Sequence, residues 1–130
     1  MADIFGKKYK LIFLETASDF LKKLQKVVVI LLNDPDNTAV VEDAYLASHS
    51  VKSECARMHY TDLANFFLLL EMMFKARREG KFTFSHQVLI LIHEELENIV
   101  TILPHMVNEN KSYDVNPAYQ KLQGLSGITM

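Results

Sequence analysis

The chain has 130 residues, 49% of them apolar and 23% charged, which is enough for one soluble domain with its own core. A formal net charge of -2 gives no electrostatic reason to expect nucleic acid as a partner. The longest apolar run, "VVVILL" from Val27 to Leu32, is too short to cross a bilayer, and "MADIFGKKYK" lacks the apolar stretch of a signal peptide.

Helical periodicity predicts five segments, over about 3–32, 39–58, 63–79, 85–107 and 117–124. In the first, Phe13, Ala17, Phe20, Leu21, Leu24, Val28 and Leu31 recur at helical spacing. "NDPDNT" ends it and offers turn and cap chemistry to the next helix. The second places Val41, Ala44, Ser48, Val51, Cys55 and Met58 on one stripe. Thr61 and Asp62 are cap candidates for the third, whose end is marked by Arg77, Arg78 and a left-handed Gly80. Leu63, Phe66, Phe67, Leu70, Met73 and Phe74 form its broad core face. Leu68 and Met72 fall on the other side, so this helix is either central or carries a docking surface. Thr83 or Ser85 opens the fourth, which should kink or end near Pro104. Asn116-Pro117, a cap and a first-turn proline, opens a short fifth. Only "KFTF" hints at strand alternation. The expected fold is all-α, an antiparallel bundle of four main helices plus a short fifth, in a single domain over 1–130. A single cysteine, Cys55, excludes an internal disulfide and suits a reducing, cytoplasmic setting.

On the second helix His49 falls well off the core stripe. Its helix-surface neighbours are Tyr45, Leu46 and Lys52, with Ser53 and Ala56 one and two turns on. Small side chains at Ser53 and Ala56 would let another protein approach closely, and Tyr45 and Leu46 would give it apolar contact. Lys52 could neutralise an anion carried by the ring. Surface histidines are common, so this pattern alone does not assign chemistry to His49.

The stretch "AYLASHSVKSECARMHYTDL" resembles the phosphorylation-site helix of histidine phosphotransfer (HPt) domains, most of all the N-terminal HPt domain of CheA-type chemotaxis histidine kinases. The family motif His-Ser-Ile/Leu-Lys-Gly reads His49-Ser50-Val51-Lys52-Ser53 here. "YKLIFLETASDFLKKLQ", "LLLEMMFKARREG" and "HEELENIVTIL" are similar to the first, third and fourth helices of such domains, and the segment after Pro117 to the fifth. The resemblance implies that His49 accepts a phosphoryl group on a ring nitrogen from a kinase catalytic domain and passes it to an aspartate of a CheY-like or CheB-like response regulator. It implies that Glu71 orients the imidazole and that Lys52 balances the phosphate charge. It also implies that ATP and magnesium belong to the kinase domain, and magnesium again to the regulator, with no cofactor or metal in this domain. A monomer is expected for the isolated domain. The chain has no room for the other domains of such a kinase, so it is expected not to be a kinase on its own; both a kinase fragment and a separate phosphotransfer protein fit. Three positions depart from the family. Its second histidine, one turn before the glutamate, is Leu68; its Gly-Gly after the lysine is Ser53-Glu54; a further glycine is Ala56.

Rival chemistries lack their residues. "HEELE" (His93–Glu97) resembles a zinc-protease helix only in part, since the second histidine is missing. No Glu-x-x-His supports a di-iron bundle, and no glycine-rich loop supports ATP binding. His93 is expected on a solvated face. The alternative in another class is an HPt-like helical interaction module without relay activity, using Leu68 and Met72.

Overall fold

The computed structural model describes residues 6–128, and among them there are five helices: α1 (Gly6–Asn33), α2 (Val41–Arg57), α3 (Thr61–Arg78), α4 (His86–Glu109) and α5 (Asn116–Ser126). The expected start of the first helix near Asp3 lies outside the described residues. The connections are short, so consecutive helices run antiparallel. α1 packs on α2 and α4, α2 packs most extensively on α3, and α5 lies against both α3 and α4.

The core stripes follow the apolar periodicity and are wider than it suggests. Phe13, Ala17, Leu21, Leu24, Val28 and Leu31 of α1 are buried, joined by Val27, while Phe20 is only partly buried. α2 buries the expected six residues and Ala47 as well; α3 buries its expected face and Leu69. Aromatic rings fill the middle, with Phe66 and Phe67 edge to face at 5.3 Å between centroids. "KFTF" forms no strand. Phe84 is buried and its ring lies 5.2 Å from that of Phe74, so the segment plugs the core as an extended link. Met72 is half-buried and lines a shallow cleft with Ile128, just past α5. Ile128 thus lies close to Met72 on the far side of α3.

Several caps differ from the sequence expectation. Thr61 lies inside α3; Tyr60 occupies the cap, without a side-chain hydrogen bond. Val40 caps α2 in the same bare manner, although Asn37 Oδ1 accepts from Ala39 N at 3.1 Å in the preceding turn. Glu42 and Asp43 in the first turn of α2 compensate by facing its positive end. Ser85 does cap α4, accepting from Val88 N at 3.1 Å. Asn116 is the first helical residue of α5, not its cap. α4 continues past Pro104 to Glu109: the proline removes one donor, but burial of Met106 and Val107 holds the last turn. At the end of α3, Gly80 adopts φ 73°, with Gly80 N donating to Arg77 O and Lys81 N to Ala76 O. His59 does the same at the end of α2, at φ 62°, with His59 N donating to Ala56 O and Tyr60 N to Cys55 O. Both are Schellman ends, which glycine usually occupies.

Glu95 is a charged residue in the core, 5% exposed. Its two carboxylate oxygens accept from the Tyr113 hydroxyl at 2.6 and 3.0 Å, and Oε1 also accepts from Asn98 Nδ2 at 3.1 Å. The phenol thereby ties the α4–α5 connection to α4. Burial, and then the bond to Glu95, push the Tyr113 hydroxyl up to about 12 from its ordinary 10.0. The folded phenol holds its proton harder than the unfolded one, so this contribution is complete below pH 10 and is lost as pH rises toward about 12. Tyr113→Phe should destabilise the fold at neutral pH. Tyr113 is itself half-buried, so the loss should lie at the lower end for a bond to a charged group, about 1–2 kcal/mol. The urea unfolding midpoint measures it.

Ser48 presents the opposite case. It is fully buried and its hydroxyl oxygen finds no hydrogen-bond partner. Replacing it by alanine removes an orphaned polar atom and improves helix propensity. Ser48→Ala is expected to raise stability by about 1 kcal/mol, read as a higher thermal midpoint.

Candidate functional site

The site is built where α2 and α3 pack most closely. Ala44, Ala47 and Ser48 are small and buried, which lets the two helices approach. On α2, His49 lies off the buried stripe and keeps 55% of its side chain exposed. On α3, Glu71 sits at the border of the core face with 13% exposure. The two meet across the helix pair, with Nδ1 of His49 2.6 Å from Oε1 of Glu71. Lys52, three residues after His49, is turned toward α3 and donates to both Glu71 oxygens, at 3.0 and 3.3 Å.

This contact decides the chemistry of the ring. An ionised carboxylate can only accept hydrogen bonds, so Nδ1 carries the proton and donates it to Glu71. In the neutral imidazole the lone pair then resides on Nε2. The arrangement presents a fixed tautomer, an oriented ring and one basic nitrogen on an exposed side chain, which is what a histidine nucleophile needs.

The remaining candidate residues fall around this centre. Lys52 is paired with Glu71 rather than standing free to meet an anion, because three residues of helix rotate it toward α3. Ser53 is half-buried and its hydroxyl donates to the His49 carbonyl at 3.1 Å, so it folds back on its own helix and stays small at the surface. Ala56 is exposed and Leu46 is 51% exposed. Tyr45 is half-buried. Glu54 pairs with Arg57, and Leu68, one turn before Glu71 on α3, is half-buried.

Sequence periodicity missed one cluster here. Arg78, read only as a charge suited to the end of α3, lies with its guanidinium carbon 4.5 Å from the centroid of the Tyr45 ring. Its Nη1 donates to Glu42 at 2.7 Å. The spacing of Glu42 and Tyr45 on one helix face was a visible signal, but their partner on another helix was not.

Other reactive groups stand apart. Burial pushes the Cys55 thiol up to about 12, with the Glu54 charge adding to it, so it is not a thiolate near neutrality. His93 is 30% exposed, with Nδ1 buried and unpartnered and Nε2 3.3 Å from Glu97; its ring lies against the bundle rather than on a fully solvated face. Among the described residues no group of three or more His, Cys, Asp or Glu could hold a metal ion, and no helix is long and apolar enough to cross a membrane.

Fold and site together define a helical bundle that displays a carboxylate-paired histidine. Among characterised proteins, the chain is similar to the chemotaxis protein CheA of Bacillus subtilis (strain 168), with 28% identity over 101 residues, covering 78% of this chain and 15% of that protein. It is also similar to the chemotaxis protein CheA of Borreliella burgdorferi, with 25% identity over 114 residues, 86% of this chain and 13% of that protein. This similarity supports a CheA-related domain, and the chain spans about a seventh of the length of these relatives. No protein-family model matches the chain, and no solved structure matches it.

Proposed function

We propose that the chain is an HPt-type phosphotransfer domain of a cytoplasmic, CheA-type chemotaxis two-component system. The observation that carries this reading is the bond from His49 Nδ1 to Glu71, which leaves Nε2 as the nucleophile on an exposed ring. In the first step the Nε2 lone pair attacks the γ-phosphorus of ATP held by a separate kinase catalytic domain. The N–P bond forms and the P–O bond to ADP breaks. Positive charge that develops on the ring is balanced through Nδ1 by Glu71, whose own charge is held in place by Lys52. In the second step a carboxylate oxygen of an aspartate on a receiver domain attacks the same phosphorus, and the N–P bond breaks with its electron pair returning to Nε2. Magnesium supplied by the kinase and then by the receiver screens the phosphoryl oxygens. Tyr45, Leu46, Ser53 and Ala56 form the ground on which the two partners dock in turn.

The test is incubation of the chain with a CheA-type kinase core, ATP and magnesium, followed by intact mass. Gain of one phosphoryl group, lost in acid and retained in base, is the expected result. A chain that binds the kinase core yet gains no mass is an interaction module instead.

A further inference from the structure

The α2–α3 face extends beyond the histidine. Along α2, one turn before His49, stands Tyr45. Along α3, seven residues after Glu71, stands Arg78, and a separation of seven returns to the same helix face about 10 Å away. Because the helices are antiparallel, both residues lie on the same side of the site. Arg78 is stacked on the Tyr45 ring at 4.5 Å and tethered to Glu42 at 2.7 Å, while its side chain remains 39% exposed. Lys75, one turn after Glu71, is also exposed, but it lines the cleft of Met72 and Ile128.

Resting on the phosphotransfer reading, we infer that Arg78 is a recognition residue for the acidic rim of the receiver that takes the phosphoryl group from His49. A stable protein interface covers about 800 Å² of each partner, roughly a disc of 16 Å radius. A partner centred on His49 therefore reaches Arg78. An aspartate that accepts a phosphoryl group beside a magnesium ion shares that ion with water, phosphate oxygens and one or two carboxylates, so that partner presents negative charge at its pocket. Arg78 is the complementary charge on this side. The guanidinium is pre-oriented by the ring beneath it, and arginine over tyrosine is the composition that dominates interface energetics. Its present carboxylate, Glu42, is half exposed. Exposed ion pairs of this kind contribute little to stability, so the guanidinium can exchange Glu42 for a partner carboxylate on docking at small cost.

The experiment loads the parent, Arg78→Ala and Arg78→Lys with phosphoryl groups to equal stoichiometry, using a CheA-type kinase core and ATP·magnesium. Transfer to a CheY-type receiver is then followed at varied receiver concentration and at two salt concentrations. Arg78→Ala should raise the KM for the receiver by about five- to tenfold, with the limiting transfer rate unchanged. It should also flatten the salt dependence of KM, since one screened attraction is gone. Arg78→Lys keeps the charge without the planar stack and should fall between the two. A KM unaffected by Arg78→Ala, in a parent that loads and transfers normally, overturns this inference and leaves the phosphotransfer reading standing. A lowered limiting rate at unchanged KM also overturns it. A parent that never loads overturns the reading and this inference with it.

Discussion

The His49→Gln chain is expected to fold as the parent does and to accept no phosphoryl group from ATP in the presence of an active kinase core. Glutamine has fair helix propensity, and the side chain it replaces is 55% exposed, so helicity and thermal midpoint should be nearly unchanged. The other histidines lack the arrangement. His93 and His105 each face a glutamate four residues on in the same helix, not one on a neighbouring helix, although Lys111 also lies beside Glu109, and His59 is held in the left-handed turn that closes α2. Parent and variant are compared by labelled-phosphate transfer, with circular dichroism as the folding control. Label on the folded variant would remove His49 from its role.

Glu71→Ala should give the second-largest effect, a fall in the initial rate of His49 phosphorylation on the order of 10–100-fold, by analogy with carboxylates that orient metal-bound histidines. Two losses combine: Nδ1 no longer has its acceptor, so either tautomer becomes available, and the ring loses the charge that favours positive character on it. Glu71→Gln keeps an oxygen acceptor without the charge and should recover part of the rate. The measurement is the initial rate at saturating kinase core. A rate equal to the parent's in Glu71→Ala would remove the carboxylate from the mechanism, whatever happens to stability.

Much of this arrangement was legible in the sequence, for reasons that differ by residue. Helical stripes are read from spacing because burial on one face repeats every three or four residues; this gave the five helices and most of the buried positions of the first three, whereas the buried positions of α4 and α5 were not singled out. The off-stripe position of His49 was visible in the same way. The pairing of His49 with Glu71 was not available from periodicity, since it depends on how far α3 is rotated against α2; the family resemblance pointed to it, and the 2.6 Å contact now gives it a geometry. Lys52 is legible as a neighbour of His49 able to balance charge on the ring; its bridge to Glu71 is visible only in the structure. Single-helix spacing cannot tell a solvated flank from one shared with a neighbour. Glu95 could have been suspected, as it lies three residues after Ile92 and four before Ile99 on the apolar stripe, but its phenol partner lies in a connection with no periodicity at all. The bare caps at Val40 and Tyr60 escaped notice because packing, not side-chain chemistry, starts those helices.

The turn between α2 and α3 has a consequence at a distance. Only residues 58–60 separate the two helices, and His59 fixes their path in a left-handed conformation. Each residue of an α-helix advances by about 100°, so the angular setting of Glu71 against His49 is indexed by those three residues, like the teeth of two meshed gears. The nucleophile and its carboxylate can thus be thrown out of mesh from some ten residues away, with every side chain of the site intact.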